Sequence, residues 1–143
     1  MPTVTNRKLT MTRAGTPVGT KFNVVVTYTV NFSQVESNLV GLGMTFADEA
    51  VLIGVDPPGG TTGTPLRLVG GGIIPVTGKN QSQAIDRKHE AVVSRVLLDE
   101  DPDTNSINDD EIRCRIQVSS PNLSTNLTQA FTDQVILDVP VNQ

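Results

Sequence analysis

The chain is short of the residues from which most sites are built. Among 143 residues there is one cysteine (Cys114), one histidine (His89), one tyrosine (Tyr28) and no tryptophan. A lone cysteine excludes an intrachain disulfide, and with one histidine beside it no thiolate zinc site can be assembled within one chain. Aromatic residues amount to 3%, and Arg7-Lys8 and Arg87-Lys88 are the only adjacent basic pairs. A basic groove with stacking platforms is therefore not expected, which argues against nucleic acid as a partner. No run of eighteen apolar residues is present, so no membrane-spanning helix is expected. The opening stretch MPTVTNRKLTMTR has no apolar segment of a secretory signal, which favours the cytoplasm. The net charge of −4 suits solubility but is too small to name a partner.

What the chain does have is alternation. In Lys21 to Ser33, Phe22, Val24, Val26, Tyr28, Val30 and Phe32 share one parity and polar residues the other, with Val25 the exception. Successive side chains of a strand point to opposite faces, so this segment reads as a long strand with one buried face. Glu111 to Ser119 repeats the pattern, turning Ile112, Cys114, Ile116 and Val118 inward. Phe131, Val135, Leu137 and Val139 share a parity and predict a last strand, and Lys8 to Arg13 a shorter first one. Between Leu39 and Val55 the apolar parity slips from even to odd, which predicts a bulge or two strands meeting at a corner. LRLV and IIPV read as short strands on either side of a Gly70-Gly71-Gly72 hinge. Residues 84–98 fit either a strand or a helix, and the strand-rich surroundings favour a strand over roughly Gln83 to Val93.

The run LLDEDPDTNSINDDEIRC, Leu97 to Cys114, carries recognisable chemistry. Calcium takes six to eight oxygens, and Asp99, Asp101, Asp103 and Asn105 alternate as loop ligands do, with Asp109 following as a fifth. It is not an EF-hand, since Ser106 stands at the glycine position and Ile112 at that of the bidentate glutamate. Asp48, Glu49 and Asp56 could join such a site if they lie at the same end of the fold. The competing and favoured reading is a solvated connection whose Asp, Asn and Ser residues form turns and whose charges keep strand edges apart. His89 is the one side chain suited to act as a base near neutral pH, but no GxSxG elbow accompanies it, and Lys88 and Glu90 suggest a surface or strand-edge position.

Seven or eight strands separated by turn clusters predict a single all-β domain over residues 1–143, an antiparallel β-sandwich, with a jelly roll or barrel as the alternative. Strand number and length resemble the immunoglobulin-like class, without its buried tryptophan or paired cysteines. The function expected is that of a non-enzymatic structural or protein-interaction module, one that assembles with its own copies or binds a protein partner. A calcium-dependent binding module using residues 99–111 is the second expectation, and a hydrolase the third.

Overall fold

The computed structural model describes residues 1–16, 20–55, 63–94, 110–122, 125–132 and 135–137. They form eight strands and one short helix: β1 (Thr3–Ala14), β2 (Lys21–Phe32), α1 (Gln34–Gly41), β3 (Ala47–Val55), β4 (Gly63–Ile73), β5 (Gln83–Ser94), β6 (Asp110–Ser120), β7 (Thr125–Phe131) and β8 (Val135–Leu137). Two antiparallel sheets face each other. One has the order β1-β2-β5; the other has β4-β3-β6-β7, with β8 also paired to β6. The sandwich expected from the sequence is the observed architecture. In the constant-type immunoglobulin arrangement the fourth strand joins the first, second and fifth; here β4 pairs with β3 instead.

The alternation of β2 is realised fully: Phe22, Val24, Val26, Tyr28, Val30 and Phe32 are all buried. They meet Ala50 and Leu52 of β3 and Ile112, Cys114, Ile116 and Val118 of β6 in one continuous core. Of the ambiguous residues 84–98, those up to Ser94 belong to strand β5, paired with β2 from Lys21↔Ser94 to Phe32↔Gln83, and residues 95–98 lie outside the described residues. Its inner face mixes Ile85, Ala91 and Val93 with Arg87 and His89, which is why neither period was clean in the sequence.

Three expectations are corrected. The parity slip between Leu39 and Val55 is not two strands meeting at a corner, since α1 ends at Gly41. Strand β3 carries the slip as the bulge that was the other expectation, its register to β4 shifting between Ala50 and Val51 and again between Leu52 and Ile53, with Val51 and Ile53 buried in a second cluster against Phe131. Ser33 caps α1 in a capping box, its Oγ accepting from Glu36 N–H at 3.2 Å while Glu36 Oε1 accepts from Ser33 N–H at 2.8 Å. Gly43, at φ 104°, ends it: its N–H reaches Val40 O and that of Met44 reaches Leu39 O, the Schellman pattern that needs a left-handed residue. The glycine triplet is not a hinge either, since β4 runs through it unbroken to Ile73. Of the expected last strand, Phe131 ends β7, Val135 and Leu137 belong to β8, and Val139 lies outside the described residues; Thr132, next after β7, accepts at its hydroxyl from Cys114 N–H at 2.9 Å.

Cys114 has no exposed surface, and burial pushes its thiol pKa up to about 12. At neutral pH the native thiol should label with a maleimide or disulfide reagent far more slowly than the denatured chain, as the thiol is the poor nucleophile. Rapid labelling of the folded protein would contradict the inward parity of β6.

Candidate functional site

Tyr28, Asp48, Arg87 and His89 converge where the edges β4 and β5 meet. Asp48 is the second residue of β3 and shares the inward parity of Ala50 and Leu52, so the strand carries a carboxylate into the space between the sheets. Its side chain is fully shut off from solvent. A buried carboxylate is tolerated only if its oxygens are well bonded, and here they are. Arg87 grips it two-pronged, Nε to Oδ2 at 2.7 Å and Nη2 to Oδ1 at 3.1 Å. Gly72 N–H donates to Oδ1 at 3.1 Å, and the Tyr28 hydroxyl donates to Oδ2. His89 Nε2 lies 3.2 Å from both Tyr28 Oη and Asp48 Oδ2. Since the carboxylate can only accept, and the tyrosine proton is committed to it, Nε2 carries the imidazole proton.

The glycine triplet supplies the room. A Cβ on Gly70 would lie 2.8 Å from His89 Nδ1, and one on Gly71 2.5 Å from the Asp48 carbonyl oxygen. β4 therefore approaches β3 and the β5 side chains more closely than a strand with side chains at those positions could.

Burial alone would raise the pKa of Asp48, but the hydrogen bonds from Arg87, Tyr28 and His89, with the charge of Arg87, outweigh it and hold the carboxyl below its ordinary value. Tyr28 is driven the other way, first by burial and then by its bond to the Asp48 carboxylate, so its phenol stays protonated throughout the physiological range. In a hydrolytic triad the acid orients one imidazole nitrogen and the nucleophile meets the other. Here Asp48 and Tyr28 crowd the same nitrogen, while Nδ1 faces Gly70. What the arrangement does is fasten β2 and β5 of one sheet to β3 and β4 of the other.

His89 thus sits on an edge strand as its neighbours suggested, but it points inward and is largely buried rather than on the surface. Tyr28, Asp48 and Arg87 were not recognised as its partners. The signal was present in the parity: Asp48 in step with Ala50 and Leu52, Arg87 and His89 in step with Ile85 and Val93.

Asp99, Asp101, Asp103, Asn105 and Asp109 lie outside the described residues, as does Asp56. Asp48 pairs with Val118, eight residues along β6 from Asp110, where the acidic run enters the sheet. At 3.3–3.4 Å per residue that is about 27 Å of strand. Glu49 faces outward and is exposed. Among the described residues, no group of three or more acidic, histidine or cysteine side chains is placed to hold a metal ion. No helix of the described residues is long and apolar enough to cross a membrane.

A shallow recess of about 440 Å³ opens on the outer face of the three-stranded sheet. It forms where β1 bulges between Thr5 and Lys8 and Asn6 adopts φ 53°. Its polar lining is largely bonded to itself, Thr29 Oγ1 accepting from Asn6 at 3.4 Å and donating to Asp86 at 2.8 Å. Comparison with protein-family models, with curated proteins and with solved structures finds no match to this chain.

Proposed function

We propose that this protein is a non-enzymatic structural or interaction module, acting through contacts with protein, either its own copies or a partner. One observation carries the reading: among the described residues, the acid–base side chains that converge are spent on one another. The Asp48 carboxylate accepts from Arg87, Tyr28, Gly72 and the single histidine, and these bonds fasten the two sheets rather than face a cleft. Edge strands are guarded in the same spirit. Arg87 turns a charge inward on β5, Asp86, Lys88 and Glu90 line its outer face, and β1 carries a bulge beside Arg7 and Lys8. Such devices discourage unspecific strand addition and leave specific surfaces to make contacts.

The test sets this reading against the hydrolase alternative. Wild type and His89→Gln are assayed on ester, amide and glycoside substrates, alongside light scattering of the protein alone and with candidate partners. The expected result is identical background turnover in both proteins and a stoichiometric complex or self-association. Turnover that His89→Gln abolishes would overturn the proposal.

A further inference from the structure

Two arginines stand side by side on the outer face of the four-stranded sheet. On β6, Ile112, Cys114, Ile116 and Val118 point inward with no exposed surface, which leaves Arg113 and Arg115 on the opposite face, roughly 7 Å apart. Arg113 pairs with Ile53 of β3, and Arg115 with Val51 of β3 and Phe131 of β7. Those three apolar residues form a cluster of their own, separate from the main core. The guanidinium groups therefore rise from an apolar bed, where an ion pair is stronger than in open water. Yet Nε of each is shut off from solvent without a hydrogen-bond partner, and among the described residues these are the only buried side-chain nitrogens or oxygens so left. A buried donor without an acceptor is costly, more so when it belongs to a charged group. Two such donors together require an acceptor from elsewhere. The described acid nearest in register, Glu49, pairs with Gln117, two residues beyond Arg115 and four beyond Arg113.

We propose that Arg113 and Arg115 form a carboxylate-binding site, filled by the acidic run of a second copy of this chain. The proposal deepens the interaction-module reading and rests on it. A guanidinium matches a carboxylate as a two-pronged fork, and an acceptor arriving at its open edge can turn the group side-on and give Nε its bond. Spacing selects the segment. Carboxylates two residues apart on an extended chain are separated by roughly 7 Å, as the two arginines are. Asp99, Asp101 and Asp103 have that spacing, and Pro102 biases the residue before it towards extended backbone. From Asp99 to Glu111 the chain carries seven acids and no base.

A second copy fits better than the same one. Within one molecule the run is tethered at Ser94 of the first sheet and Asp110 of the second. Asp101, seven residues past Ser94, commands at most about 25 Å of chain. Its path crosses about 10 Å between the sheets and rounds the end of β6, then follows the strand for about 10 Å to Arg113 or 17 Å to Arg115. The run thus fits its own pair only when drawn nearly straight, a restraint that a second copy's run does not have.

Sedimentation equilibrium of the full chain up to about 1 mM, at low salt and in about 0.5 M sodium chloride, tests this. At low salt the weight-average mass should rise from 15.3 kDa to twice that value or beyond, and salt should return it to the monomer. Arg113→Gln/Arg115→Gln should lose association at least tenfold while its melting temperature holds or rises, because two unpaired donors are gone. Asp99→Asn/Asp101→Asn/Asp103→Asn should lose it equally; it changes no residue of the sheets, so it reads the contact even if the arginine variant is unstable. An equimolar mixture of the two variants should associate again, since one keeps the arginines and the other the acids. A wild type that stays monomeric at about 1 mM overturns the proposal, and a mixture that stays monomeric does too, because the charges then do not meet across copies. An arginine variant that still associates overturns it as well, leaving the module reading standing with a different surface. Histidine-dependent turnover would remove the module reading itself, independently of any of these results.

Discussion

Replacing Asp48 by alanine should destabilise the protein by about 3–5 kcal/mol, a drop of more than about 10 °C in melting temperature for a domain of this size. The lost carboxylate is only part of the effect. Its removal leaves the Arg87 guanidinium, the Tyr28 hydroxyl, the His89 N–H and the Gly72 N–H without their acceptor in a largely dry space. An unpaired buried charge costs more than the pair contributed. Asp48→Asn, which keeps an oxygen but loses the charge, should fall between wild type and alanine. Exchanging both members for apolar residues, Asp48→Leu with Arg87→Met, should recover much of the loss, because neither charge then remains alone. Equal destabilisation in single and double variants, measured by denaturant unfolding, would show that the ion pair is not the unit. Acid gives the same information with a definite sign. The folded carboxyl titrates below its unfolded value, so its contribution is complete above about pH 4 and is lost as pH falls further through the folded pKa. Asp48→Asn should show a correspondingly flatter decline in that window.

The second large effect is expected from a single methyl group. Gly71→Ala would place a Cβ 2.5 Å from the Asp48 carbonyl oxygen and 3.2 Å from Glu49 Cα, both backbone atoms of a central strand. Neither can rotate away, so β4 must move off β3, at a cost of about 1–3 kcal/mol or more. Gly72→Ala is the control, since the nearest group its Cβ meets is Arg87 Nη2 at 4.0 Å. Thermal melts of the two variants should differ by several degrees, Gly71→Ala being the less stable. Equal melts would mean that β4 is not seated as closely as the contact geometry states.

Why the strands were legible and the clamp was not follows from the distances over which each acts. Alternation is local, and β2 and β6 show it because every other residue meets one core. Ser33 and Glu36 stand at capping-box spacing ahead of α1, but the helix carries its apolar residues outward, so no inward apolar stripe marked it in the sequence. The Asp48 cluster depends on pairing between residues 20 to 61 positions apart. Nothing near Asp48 in the chain identifies Arg87 as its partner. Gly70-Gly71-Gly72 suggested flexibility for the same reason: the atoms that require an absent side chain belong to β3 and β5.

That separation along the chain has a consequence in time as well as in energy. The clamp cannot close until β2 has paired with β5 and β3 with β4, because each sheet contributes only part of it. Contacts that depend on finished sheets form late, after loop closure has brought distant strands together. Weakening them should leave the refolding rate nearly unchanged and speed unfolding. The clamp would then act as a latch on the native state, setting how long a folded molecule persists more than how fast it is made.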